Sequence, residues 1–400
     1  MSKEKVLFVD DESCVLDGLR RALRHRRREW DMAFAMGGQA AIDMLDDFQP
    51  TVVVSDMRMP GMDGAAVLTE VKARLPGTVR IVLSGNSDTA SIMRAVGPSH
   101  QYLSKPCDTT DLDNAIARTR ALRDMLNHDA LARRMTGFEE LPSLPSTYER
   151  LISALKSSET SIVEVADIIA SDIAMTAKVL KLVNSAYFGI PRNVTDIHKA
   201  VSFLGMETIA ALVLGHGAFA AMRPAPDASF DFEGTIAMAM RTAAAARTIA
   251  TYENFEKRII NDAFLAGMLG YIGQIIVATS LPEEYRAVVD ASASATILDV
   301  DVELSEAGAR FDEMGAYLMG LWSLPDTVVE AAAYRKRPGS SAVHEPGALT
   351  AAHIAYCVCN SDDAGEPPDI FDTDYLNSLE LRGDWQAWSA ACKQAVEDAA

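Results

Sequence analysis

Cysteine is scarce: five in 400 residues, an odd number. A chain of this length is then not built on a disulfide framework. Cys14, Cys107, Cys357, Cys359 and Cys392 are expected to be buried thiols. Cys357 and Cys359, two apart on an expected helix, point in different directions and lack the further ligands of a structural zinc site. No stretch is expected to cross a membrane, which takes about 18 uncharged apolar residues; the richest, residues 243–250, is interrupted by Arg247. The opening MSKEKVLFVDDES has neither a long apolar run nor a small-residue cleavage site, so it reads as a first strand. The expected compartment is the cytoplasm. Internal repeats and low-complexity tracts are not evident either.

Positive charge is short in one half. Residues 1–122 carry 16 Lys and Arg against 17 Asp and Glu, whereas residues 123–400 carry 21 against 39. An acidic second half argues against DNA binding, because neutralising phosphates supplies most non-specific affinity for duplex DNA. The one basic run, Arg20 to Arg28 (RRALRHRRR), reads as the solvated face and end of a helix. Its functional alternative is a docking patch for an acidic surface, the second half included.

Residues 5–105 alternate short β-branched runs with amphipathic helical stretches. Strands are expected at 5–9, 30–35, 51–55, 80–84 and 101–104. Helices are expected at 13–26, 38–47, 64–75, 87–95 and from 108 onward. Continuous apolar strands (VLFV, VVVS, IVLS) suit a parallel sheet covered on both faces, so the alternation predicts an α/β doubly wound domain with a five-stranded parallel sheet. From Asp108 to about Met135 the pattern is helical without Gly or Pro, which predicts one connector helix and leaves a dimer seam open. After Thr136-Gly137 and Leu141-Pro-Ser-Leu-Pro145 the pattern is a separate all-α domain, completed by helices near 349–360 and 384–397. The expected domains are 1–122, a connector at 123–137, and 138–400.

Ligands of an open parallel sheet bind beyond the carboxyl ends of its strands. There the sequence places Asp10-Asp11, Asp56, Ser84 and Lys105-Pro106. Crowded carboxylates suit Mg2+, a hard cation that prefers oxygen ligands. Asp56 has the chemistry of a nucleophile towards a phosphoryl donor, and Lys105 and Ser84 that of groups stabilising the transferred oxygens. The motifs Val9-Asp10-Asp11, Asp56-Met-Arg-Met-Pro60 with Gly61-Met-Asp-Gly64, Leu83-Ser84-Gly85 and Tyr102-Leu-Ser-Lys105-Pro106 make residues 5 to about 122 resemble the receiver domains of two-component response regulators. That resemblance implies Asp56 as phosphoacceptor, and Asp10, Asp11, Asp56 and the Arg58 carbonyl around Mg2+. It further implies Ser84 and Tyr102 as a switch pair, Lys105 as the phosphate-contacting lysine, and a sensor histidine kinase or phosphotransfer protein as partner.

The second half resembles HDOD domains, relatives of the HD metal phosphohydrolases. The matching stretches are Leu141-Pro-Ser-Leu-Pro145, Asp172 to Gly189 with its Asn184-Ser-Ala-Tyr-Phe-Gly189, Ile197 to Gly205, Ala263 to Gly273 and Gly315 to Pro325. An HD hydrolase holds its metals with His and Asp from several helices and activates a bound water. Here Gly270 and Tyr271 stand where the adjacent His and Asp would be. Phe311 stands where a His is common, and Ala333-Tyr334-Arg335 lacks a His pair. His128-Asp129 reads as a solvated pair, and His198 and His216 as satisfied core or cap histidines. No cofactor or metal is expected in this half.

The expectation is a response regulator of a phosphorelay in which Asp56 phosphorylation controls a non-catalytic HDOD-like output acting on a downstream signalling protein. The alternative is a phosphodiesterase or nucleotide phosphohydrolase with divergent metal ligands.

Overall fold

The computed structural model describes residues 3–85, 99–105, 109–126, 129–136, 138, 145–157, 160–184, 194–210, 230–292, 298–361 and 366–397. Five strands, β1 (Glu4–Asp10), β2 (Trp30–Met36), β3 (Val52–Asp56), β4 (Val79–Gly85) and β5 (Gln101–Lys105), form one sheet in the order β2-β1-β3-β4-β5. Four parallel pairings join them. Helices α1 (Ser13–Ala22), α2 (Gly38–Phe48) and α3 (Gly64–Arg74) connect the first strands. The sheet is buried on both faces, with Val6, Leu7, Phe8, Val52, Val53 and Ile81 inaccessible to solvent. Its apolar runs are continuous for that reason. The helix expected at 87–95 lies outside the described residues.

The basic run continues α1 as a 3-10 turn, Leu23–Arg28. Arg26 leaves it to fork onto Asp113, with Nε and Nη2 each 2.7 Å from a carboxylate oxygen. This contact stays inside the receiver half. Arg21, Arg24, Arg27 and Arg28 are exposed, which fits the solvated reading of the run.

The connector is two helices rather than one: α4 (Thr109–Met125) and α5 (Asp129–Thr136). Residue 127 and His128, between them, lie outside the described residues.

The remainder is helical: α6 (Pro145–Lys156), α7 (Ile162–Ala170), α8 (Ile173–Val183), α9 (Ile197–Ala210, kinked at Gly205), α10 (Phe232–Tyr252), α11 (Lys257–Leu269), α12 (Ile272–Ser280), α13 (Pro282–Ala291), α14 (Val300–Ala307), α15 (Phe311–Leu321), α16 (Asp326–Tyr334), α17 (Ala348–Cys359), α18 (Thr373–Asn377) and α19 (Trp385–Glu397). Local chemistry fixes several starts. Ser161 and Glu164 form a reciprocal capping box on α7, and Asp172 accepts from the Met175 N–H at the start of α8. Helix α10 packs on α11 and α17, and α15 on α16 and α12. One apolar cluster takes in both halves, running through Leu112, Ile116, Leu122, Leu126, Leu131 and Met135 of the connector.

Two expectations need correcting. Cys14 is exposed; Cys357 and Cys392 are buried and Cys359 half-buried, while Cys107 lies outside the described residues. Position decides the difference, since Cys14 sits in the first turn of α1 rather than on its packed face. Among the described residues, the segment long and apolar enough by composition is Lys257–Ser280 rather than residues 243–250. It folds as two helices broken at Gly270-Tyr271, with 78% of its most apolar window buried inside the protein.

Candidate functional site

Asp10 ends β1, Asp56 ends β3 and Lys105 ends β5, so parallel pairing brings all three to one sheet edge. Lys105 Nζ donates to Asp10 Oδ2 at 2.8 Å and lies 2.5 Å from Asp56 Oδ1. The other oxygen of each carboxylate is held by backbone: Asp10 Oδ1 accepts from the Glu12 N–H at 2.9 Å and Asp56 Oδ2 from the Arg58 N–H at 3.1 Å. Burial raises the Asp56 carboxyl above the usual carboxylate range, and Lys105 opposes that rise. Burial alone would lower the Lys105 ammonium, but its two carboxylate partners outweigh it and leave it raised.

The loop after Asp56 is shaped by backbone geometry. Gly61 takes a positive φ of 79°, which glycine adopts without penalty. A Cβ on Gly64 would stand 2.2 Å from the Asp56 carbonyl oxygen. Only glycine allows α3, capped by the Asp63 side chain on the Ala66 N–H, to start that close to the end of β3.

Ser84 lies at the end of β4 in register with Ser104, and Tyr102 pairs with Val82. Their side chains lie outside the described residues. Among the described residues no three His, Cys, Asp or Glu side chains are arranged as a metal site. The cation between Asp10 and Asp56 is Lys105, because two buried carboxylates need a counter-charge, and Asp11 is half-exposed. The oxygen donors themselves fit Mg2+.

In the helical half, Gly270 and Tyr271 lie at the break between α11 and α12. The space beside them holds a guanidinium. Arg335, fully buried, forks onto Asp312, with Nε 3.1 Å from Oδ2 and Nη2 3.0 Å from Oδ1. Its Cζ lies over two rings, 4.1 Å from the Tyr271 centroid and 4.8 Å from that of Tyr356. A Cβ on Gly270 would come within 2.6 Å of Arg335 Nη1. Beside this pair, Lys336 Nζ donates to Glu303 Oε1 at 2.7 Å, and Glu303 Oε2 accepts from the Phe311 N–H at 2.7 Å. His353 fixes the segment, with Nδ1 donating to the Arg335 carbonyl at 2.8 Å and Nε2 accepting from the Asp372 N–H at 3.0 Å.

Residues 6–117 match the response regulator receiver domain model, and residues 141–338 match the HDOD domain model. The chain is a receiver domain followed by an HDOD domain. An uncharacterized protein of Treponema pallidum is 26% identical over 193 residues, 48% of this chain and 36% of its own length. The hydrogenase transcriptional regulatory protein HoxA of Cupriavidus necator is 39% identical over 104 residues, 25% of this chain and 21% of its own length. The chain thus spans about a third or less of the curated relatives it matches. The MmoQ response regulator of Methylococcus capsulatus shares 18% identity with a TM-score of 0.46, covering 64% of this chain and 93% of that one. The receiver domain of an HD domain-containing protein from Pseudomonas fluorescens shares 29% identity with a TM-score of 0.28, covering 32% of this chain and 98% of that one.

The remaining candidate residues fall outside both sites. His198 pairs with Asp167 at 2.8 Å on the surface of the HDOD domain, and His216 lies outside the described residues. Asn184 is locally satisfied: its amide donates to the Leu180 and Val194 carbonyls and its oxygen accepts from the Val194 N–H. Ser185 and Tyr187 lie outside the described residues. Arg335 and Asp312 were not legible as functional residues, since nothing in the spacing of Ala333-Tyr334-Arg335 sets this cation apart from a surface one.

Proposed function

We propose that this chain is a phosphorelay response regulator in which phosphorylation of Asp56 controls what the HDOD domain binds, without hydrolysis in that domain. Receiver domains take phosphate from histidine kinases or phosphotransfer proteins, and the position of Asp56 at the end of β3 against Lys105 supports that role for it. A carboxylate oxygen of Asp56 attacks phosphorus, the bond to the donor breaks, and the donor leaves with the electron pair. An acyl phosphate forms on Asp56. Lys105, already against Asp56, neutralises the transferred oxygens, while the Arg58 N–H keeps the carboxylate oriented. Mg2+, held by Asp10, Asp11, Asp56 and the Arg58 carbonyl, would supply further neutralisation.

The observation that carries the non-catalytic reading is the Arg335–Asp312 pair. Where an HD hydrolase would hold a metal, this chain holds its own cation, walled by Tyr271 and Tyr356. A divalent ion there would face a guanidinium at the cost of a buried ion pair. Output through protein contact rather than DNA accords with the acidic character of residues 123–400. We place the protein in the cytoplasm with a downstream signalling protein as its partner.

Acetyl phosphate with Mg2+ should label wild type and leave Asp56→Asn unlabelled; full labelling of the variant sinks the site. Metal analysis and a cyclic-dinucleotide hydrolysis assay test the output. Stoichiometric Mn, Fe or Zn with turnover abolished by Asp312→Asn would overturn the non-catalytic reading.

A further inference from the structure

The strands that end at the phosphorylation site begin at a buried contact with the output half. β4 starts at Val79-Arg80 and ends at Ser84-Gly85; β5 follows Ser99-His100 and ends at Lys105. The His100 N–H donates to the Arg80 carbonyl at 2.8 Å. His100 Nδ1 accepts from the Arg80 N–H at 3.0 Å, so its proton sits on Nε2. Nε2 then donates to the Thr136 carbonyl, 2.9 Å away at the end of α5. The Thr136 hydroxyl donates to the Ala132 carbonyl at 2.7 Å and accepts from the Tyr317 hydroxyl of α15 at 2.6 Å. Lys181 of α8 donates to the Ser99 carbonyl at 2.9 Å. Arg80, Ser99, His100, Thr136 and Tyr317 are inaccessible to solvent, and Lys181 is 8% exposed.

Polar groups buried this completely must be paired, and losing one partner strands the other. Opening the junction is therefore costly, because each partner left behind is a buried polar group without its bond. The junction grips the starts of β4 and β5, and β5 delivers Lys105 to Asp10 and Asp56 about 16 Å further on, at roughly 3.3 Å per residue. A second contact runs alongside: Arg118 of α4 donates to the Leu324 carbonyl at 2.7 Å and pairs with Asp326 at 2.6 Å. The HDOD domain is thus fastened to the receiver at both the strand starts and α4.

We propose that this junction couples the two domains, with Lys181 and His100 as positioning residues: docking of the HDOD domain through them holds β4 and β5, and so Lys105, in the unphosphorylated arrangement. The proposal rests on Asp56 as phosphoacceptor. By reciprocity, an acyl phosphate that favours another arrangement of the strand ends weakens the junction, and weakening the junction strengthens binding of a phosphoryl mimic at Asp56.

The test uses the full chain and beryllofluoride with Mg2+, titrated into wild type, Lys181→Met and Tyr317→Phe, with hydrogen exchange of residues 129–136 as a second readout. Coupling of ordinary size is about fivefold or more. Lys181→Met should tighten apparent beryllofluoride affinity by that factor, Tyr317→Phe should act in the same direction, and beryllofluoride should raise exchange at 129–136 in wild type. Unchanged or weaker affinity in a folded Lys181→Met protein, or wild-type exchange indifferent to beryllofluoride, overturns the coupling. If Lys181→Met fails to fold, Tyr317→Phe decides by the same criterion. Beryllofluoride binding that survives in Asp56→Asn indicts the phosphoacceptor assignment instead, so the two failures are distinguishable.

Discussion

Arg335 and Gly270 fit only as a pair: a Cβ on Gly270 would stand 2.6 Å from Arg335 Nη1 and 2.9 Å from the Ala266 carbonyl. The bare backbone at 270 is the room in which the guanidinium lies. Gly270→Ala should cost about 1–3 kcal/mol through overpacking. Arg335→Met should cost more, about 3–5 kcal/mol, because Asp312 is left buried without its counter-charge. The double variant Arg335→Met with Asp312→Asn should lose less than the sum of the singles. Urea midpoints at unchanged slope read all of these. A Gly270→Ala protein as stable as wild type would show that the guanidinium can step aside, contrary to the packing.

Gly64 is the equivalent close approach in the receiver. An alanine there drives its Cβ to within 2.2 Å of the Asp56 carbonyl oxygen, a backbone atom that cannot swing away. The expected cost is about 2 kcal/mol. Displacing the end of β3 should also slow labelling of Asp56 by acetyl phosphate. Gly18, where a Cβ would meet nothing within 4 Å, is the control: Gly18→Ala should leave labelling unchanged. Equal labelling rates for Gly64→Ala and wild type would contradict the geometry.

Lys105 is the sole side chain shown contacting both Asp10 and Asp56 among the described residues. Lys105→Met removes the cation that opposes the burial-driven rise of the Asp56 carboxyl. More of Asp56 is then protonated, and the transferred oxygens lose one stabilising charge. The labelling rate at neutral pH should fall by about tenfold to a hundredfold, the usual cost of one preorganised electrostatic contact. Its pH dependence should move to higher pH. A rate within twofold of wild type would remove Lys105 from the site.

How much of this was legible depends on whether a residue's role is local. The strands were readable because burial on both faces demands unbroken apolar runs, and Asp10, Asp56 and Lys105 were readable because each ends one of them. Arg335 was not: its partners Asp312, Tyr271 and Tyr356 come from three other segments, and no periodicity announces a buried cation. Lys181 and Ser99 meet across 82 residues, so their contact is tertiary packing alone. The connector misled for a related reason. Its apolar positions are spaced for one helix face, but that spacing does not announce that Thr136 meets His100 across the domains.

The pH response of the helical half follows from His353, whose ring is stacked on Phe371 at 5.8 Å and saturated by backbone partners. Its Nε2 accepts an N–H, so the ring cannot take a second proton without losing that bond. Burial lowers its pKa from the ordinary 6.5 to about 4. The unfolded chain therefore binds the proton at higher pH than the folded one. Stability from this group is complete above about pH 6.5 and declines as the pH falls towards 4, by roughly 3 kcal/mol at the acid end. His100, buried beside Arg80 and Lys181, is also held well below its ordinary value and acts in the same direction. Urea denaturation between pH 7.5 and 4.5 should show this loss in wild type. His353→Gln keeps a donor and an acceptor but does not titrate; it should be less stable at neutral pH and show a shallower decline. An identical pH slope in the two proteins would mean that His353 titrates alike in the folded and unfolded states.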